Sequence, residues 1–112
     1  MTPDALREVF SALGPVAVRS LFGGRGISLD GRTFAIELAG EIYLKTDERT
    51  AERFKAAGST PFTFLRSGRT VVTSYWRAPA DAVEDADAMK PWAELALSAA
   101  RVRQRRTRND AI

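Results

Sequence analysis

Four stretches of this 112-residue chain carry residue types that could do chemistry. The first is Phe22-Gly23-Gly24-Arg25-Gly26, glycines around a cation, as in a phosphate-binding loop. Such loops need a helix N-terminus directly after the glycines, so that N–H groups and dipole converge on the anion. Here Ile27-Ser28-Leu29 follows, a strand pattern, so the glycines are expected to form a bend or bulge. The second stretch holds Arg101, Arg103, Arg105, Arg106 and Arg108, enough charge for salt-dependent, non-specific phosphate contacts. No aromatic residue interleaves with them to stack bases, and a frayed, solvated helix end explains them without any ligand. The third is Tyr75-Trp76-Arg77. Strand neighbours face opposite ways, so one of the two rings meets the core and the other is a candidate partner surface or lies under a helix. The fourth, Asp81, Glu84, Asp85 and Asp87, fits no calcium-loop spacing and suits helix starts.

Catalytic constellations are scarce. The chain has no histidine and no cysteine, which removes the commonest general base, thiolate nucleophiles and most transition-metal ligand sets. Ser20, Ser28, Ser74 and Tyr43 have no partner base of the usual kind. No catalytic residue, cofactor or metal is expected.

Composition sets the frame. Hydrophobic residues are 45% and charged residues 28%, an ordinary globular balance for one domain. No apolar run reaches the ~20 residues of a membrane span, and Met1-Thr-Pro-Asp-Ala does not resemble a signal peptide, so a cytoplasmic protein is expected. The net charge of +3 is unevenly spread. Residues 1–100 hold 12 Lys and Arg against 13 Asp and Glu, whereas residues 101–112 hold five arginines against Asp110. A near-neutral body (1–100) is therefore distinguished from a basic tail (101–112).

The elements follow from period and punctuation. Thr2-Pro3-Asp4 starts a helix whose buried face is Leu6, Val9, Phe10 and Leu13, ended by Gly14-Pro15. A strand enters near Val16, bends at 23–26 and turns at Asp30-Gly31. In the next strand Phe34, Ile36 and Leu38 alternate with Thr33, Ala35 and Glu37. Ala39-Gly40 leads to the strand Glu41–Thr46, with Ile42 and Leu44 on one face. Asp47 caps a helix that stops at Gly58. Phe62–Arg66 and Arg69–Trp76 form a second hairpin around Ser67-Gly68, with Val71, Thr73 and Tyr75 on one face. A last helix shows Met89, Trp92, Ala93, Ala96 and Ala100 on one side. It starts either just before Pro91 or at Asp85 with a kink. The expected fold is α+β, one antiparallel sheet of about five strands with helices mainly on one face, in the order α-β-β-β-α-β-β-α.

Several spaced blocks also resemble a known family. Phe22-Gly-Gly-Arg-Gly-Ile27, Gly31-Arg-Thr-Phe-Ala35, Tyr43-Leu-Lys45, Gly58-Ser-Thr-Pro-Phe62, Ser74-Tyr-Trp-Arg-Ala-Pro79 and Trp92-Ala93 are similar, in order, to the N-terminal domain of the bacterial TfoX/Sxy competence regulators. Leu21 stands where that family commonly has methionine, and Ser28 where it has a larger residue. The resemblance implies a secretion-chaperone-like α+β fold and a non-catalytic role in regulating competence-gene transcription. It implies a partner in the transcription machinery, the cyclic-AMP receptor protein being the one suggested. The full-length regulators carry a further helical domain, whereas this chain runs on into its arginine tail. The expected interaction surface is Phe22, Gly23, Gly24, Arg25, Gly26, Tyr75, Trp76 and Arg77. The tail arginines offer weak non-specific nucleic-acid contact as the alternative, and the open sheet edges invite homodimerisation.

Overall fold

The computed structural model describes residues 1–21 and 23–110, with side chains up to Arg101. Helix α1 spans Pro3–Val9, and the Thr2 hydroxyl accepts from the Ala5 N–H at 3.1 Å as its cap. The helix is shorter than the apolar period suggests, because residues 10–13 continue as turns. Leu6, Val9 and Phe10 are nevertheless buried as expected, and Leu13 packs against them. Six strands follow in one antiparallel sheet: β1 (Ala17–Leu21), β2 (Gly24–Leu29), β3 (Arg32–Leu38), β4 (Glu41–Lys45), β5 (Pro61–Arg66) and β6 (Arg69–Arg77). Their spatial order is β1-β2-β3-β4-β6-β5. Helix α2 (Glu48–Ala56) lies between β4 and β5, and α3 (Ala80–Val83) and α4 (Ala86–Asp110) follow β6.

The sheet has one strand more than the sequence suggested, and the short α3 is also additional. The stretch from Val16 to Leu29, read as one bent strand, is a hairpin in which Ala17 pairs with Ser28 and Leu21 with Gly24. Gly23, at φ +82°, supplies the left-handed backbone of the reversal. The other reversals fall where the punctuation put them. Asp30-Gly31, Ala39-Gly40 and Ser67-Gly68 each place two successive residues at positive φ, the geometry that matches the twist of two-residue hairpins.

One face of the sheet holds the core. Ile27, Ala35, Ile42 and Leu44 are buried there with Leu6 and Val9 of α1, Phe10 just after it, Phe54 of α2, Ala82 of α3 and Met89, Ala93 and Ala96 of α4. Helix α4 packs on β3 and β4, its alanines letting it lie close. It starts at Ala86 and runs through Pro91, the second of the two starts considered, with the Asp85 carboxylate accepting from the Asp87 N–H at 2.9 Å. The expected alternation in β3 does not hold. Between β2 and β3 the register slips, Ile27 opposing Ala35 but Ser28 opposing Thr33, so Phe34 is the extra residue of a bulge. Phe34 and Ala35 therefore both turn inward, Phe34 meeting Phe10 edge-on at 5.2 Å. Ile36 and Leu38 are left on the opposite face, only half-buried.

Candidate functional site: the uncovered face of the sheet

The glycine corner resolves as architecture. Gly23 sits in the turn, and Gly24, Arg25 and Gly26 belong to β2, followed by strand and not by a helix N-terminus. At Gly24 a Cβ would lie 2.2 Å from the Glu37 carbonyl oxygen and 2.4 Å from Leu38 Cδ2. At Gly26 it would meet Leu21 Cδ2 at 3.3 Å. At Gly24 only a hydrogen side chain leaves room for the β3 backbone to close over β2, while Gly26 lets the Leu21 side chain lie close. Arg25 is committed within the molecule. Its Nε donates to the Met1 carbonyl at 3.0 Å and stands 3.8 Å from Glu37 Oε1, while the Met1 ammonium lies 3.2 Å from the same oxygen. Glu37 also accepts from the Gly40 N–H, so this nearly buried carboxylate is held by two cations and a backbone amide. A shallow cavity of about 450 Å³ opens here, lined by Met1, Ser20, Leu21, Gly23, Gly24, Arg25 and Glu37. Phe22 lies outside the described residues.

The aromatic strand divides as the alternation requires. Trp76 opposes Leu44 and packs against the core, so it is not the exposed anchor. Tyr75 opposes Lys45 on the other face, where the Lys45 ammonium lies 5.0 Å from the ring centroid and hydrogen-bonds the Ser74 hydroxyl. Arg77 opposes Tyr43 on that same face and forms a two-point ion pair with Glu41, at 2.5 and 3.0 Å. The hydrogen bond from Arg77 holds the Glu41 carboxyl below its ordinary range and raises the guanidinium in turn.

Among the described residues the face that carries Tyr75 and Arg77 holds none of the core helices, since the buried residues of all four join the core on the other side. Three rings form a chain across it. Tyr43 of β4 meets Phe62 of β5 with centroids 5.1 Å apart, and Phe62 stacks on Phe64 at 6.3 Å. Phe64 remains 41% exposed. Following the register, the strand side chains on this face include Arg19, Lys45, Arg66, Arg69 and Arg77 but a single carboxylate, Glu41. Sequence reading left Tyr43, Phe62, Phe64 and Arg66 out of the candidate surface. The spacing of Phe62, Phe64 and Arg66, every second residue, was the signal available.

The β5–β6 hairpin extends beyond the helices. On its helix-side face Leu65 and Val72 are 76% and 64% exposed, the two most exposed large apolar side chains among the described residues. Arg101 is exposed, and the side chains of Arg103, Arg105, Arg106 and Arg108 lie outside the described residues, although the backbone of α4 continues to Asp110. Among the described residues no three His, Cys, Asp or Glu side chains are grouped to hold a metal, and no helix is long and apolar enough to cross a membrane.

Comparison with known proteins finds a family match that spans most of these elements. The TfoX N-terminal domain family model matches residues 8–100. Among curated proteins, Protein Sxy of Escherichia coli (strain K12) is 32% identical over 71 residues, a match covering 63% of this chain and 34% of that protein. The matched segment therefore spans about a third of the length of that relative.

Proposed function

The chain belongs to the TfoX N-terminal domain family, and from that premise we propose that it is a non-catalytic regulatory module acting by protein contact in the cytoplasm. The relative named Protein Sxy supports a regulator of the TfoX/Sxy kind. The observation that carries the contact reading is the projecting hairpin. Leu65 and Val72 share one face of it, beyond the reach of the helices, and removing such side chains from water favours association by ~25 cal/mol per Å². On that face Leu65 lies opposite Thr70 and Val72 opposite Thr63, a small apolar patch bordered by two hydroxyl side chains, the pattern of an apolar centre with a polar rim. The partner belongs to the transcription machinery, with a cyclic-AMP receptor protein as the first to test.

The experiment is calorimetry of the whole chain against a purified cyclic-AMP receptor protein, with and without cyclic AMP, repeated with Leu65→Asp and Val72→Asp. Both positions are exposed, so the variants keep the parent circular dichroism. Binding by the parent and its loss by at least tenfold in each variant is the expected result. Equal affinity of parent and variants would remove the hairpin as the contact, and turnover of a substrate by the purified chain would remove the non-catalytic reading.

A further inference from the structure

The body of the chain is close to neutral, yet the uncovered sheet face is not. Arg19, Arg66 and Arg69 are exposed on its strands, Arg77 is paired with Glu41, the one carboxylate on this face, and Lys45 is buried beside Tyr75. Two features sit together there. The chain of rings Tyr43, Phe62 and Phe64 offers π-surfaces, with Phe64 the most open of them. Arg66 and Arg69 oppose each other at the end of the same hairpin, both exposed, two residues beyond Phe64 and Val71. From this arrangement we propose that the uncovered face binds single-stranded nucleic acid, bases stacking on the aromatic chain and phosphates meeting the arginines.

Charge decides between occupants. A second copy laid face to face would oppose the same set of cations to itself, and like charges brought together across an interface disfavour association. An anionic polymer neutralises them and releases counterions. The rings decide between anions. An acidic polypeptide uses the arginines but has no need of exposed phenyl faces, whereas every base has a π-face to stack. A duplex keeps its bases inside and offers the sheet only phosphates. The dimensions also fit a strand. Six strands at ~4.8 Å spacing give ~24 Å from Arg19 on β1 to Phe64 on β5, the length of a few extended nucleotides. This surface is the opposite face of the hairpin from Leu65 and Val72, so the inference stands apart from the protein contact proposed above.

The test is fluorescence anisotropy of the full chain with labelled oligo(dT) and oligo(U) of about ten nucleotides, at low and physiological salt. A duplex of equal length and poly-glutamate serve as competitors. The expected result is preference for the single strands over both competitors. Phe64→Ala weakens single-strand binding by about tenfold. The double variant Arg66→Glu with Arg69→Glu weakens it further and lowers the salt slope by about two phosphate contacts. The uncharged change Leu65→Ser leaves it unchanged, which separates this site from the protein contact. Three results would overturn the proposal. One is poly-glutamate or duplex binding as tightly as single strands with Phe64→Ala inert, which indicates a plain anion patch or an acidic protein partner. Another is loss of binding only when Arg101, Arg103, Arg105, Arg106 and Arg108 are replaced by serine. The third is sedimentation of the chain as a dimer that Phe64→Ala dissociates.

Discussion

A methyl group added at Gly24 has nowhere to go. It would stand 2.2 Å from a main-chain oxygen of β3, and main chain in a paired strand cannot swing aside as a flexible side chain can. Gly23, one residue earlier, has open space around its Cβ position but a φ of +82°. The two neighbours are therefore glycine for different reasons, one steric and one conformational. Gly24→Ala is expected to destabilise the fold by about 2–3 kcal/mol, as overpacking does. Gly23→Ala costs about 1 kcal/mol, the penalty of a left-handed alanine. Urea denaturation of the two variants checks the order, and equal losses would refute the steric account. The sequence alone showed that these glycines precede a strand and so do not cradle an anion. Which glycine faces β3 is set by a partner strand more than ten residues away, and nothing local to 23–26 encodes it.

Elements were most legible where local chemistry closes on itself. Asp47 accepts from the Arg49 and Thr50 N–H groups, both at 2.9 Å, while the Thr50 hydroxyl accepts from the Asp47 N–H at 2.9 Å, a reciprocal cap on α2. Partial burial pushes the Asp47 carboxyl up, but the hydrogen bonds from Thr50 and Arg49 outweigh it, and the group sits below its ordinary range. A carboxyl lowered by folding stabilises the native state above its unfolded value, and that contribution fades as pH falls through the folded value. Asp47→Ala should cost about 1 kcal/mol at neutral pH. Asp47→Asn, which can still cap but cannot titrate there, should flatten the fall in stability on acidification. Thermal melts of parent and both variants between neutral and strongly acidic pH measure this; an unchanged slope in the asparagine variant would assign the acid sensitivity elsewhere. Strand β3 was the opposite case. Its alternation pointed Ile36 and Leu38 at the core, but the bulge at Phe34 inverts the following residues and gives the core Ala35 and the carboxylate of Glu37. A bulge is a property of two strands in register, and period-2 reading of one strand cannot see it.

At the scale of the whole molecule, the near-neutral count over residues 1–100 concealed an uneven surface, because the acids other than Glu37 and Glu41 lie outside the strands while the arginines of β1, β5 and β6 share one sheet face. The same topology makes stability uneven. Strands β3 and β4 lie under α4 with Phe34, Ala35, Ile42 and Leu44 buried. The outer part of the β5–β6 hairpin pairs only with itself, and Thr63, Phe64, Leu65, Arg66, Arg69, Thr70 and Val72 are exposed. A segment with few buried apolar contacts opens at lower free energy than the centre of the sheet, and working surfaces are commonly drawn from such segments. Native-state amide exchange should therefore find the slowest amides in residues 34–44 and the fastest sheet amides in residues 63–72. Saturation with a ligand for the hairpin should slow the second set, because exchange from the bound state requires release first. Protection of residues 63–72 equal to that of β3 and β4 in the free chain would mean that the hairpin is rigid, and that binding there gains nothing from ordering it.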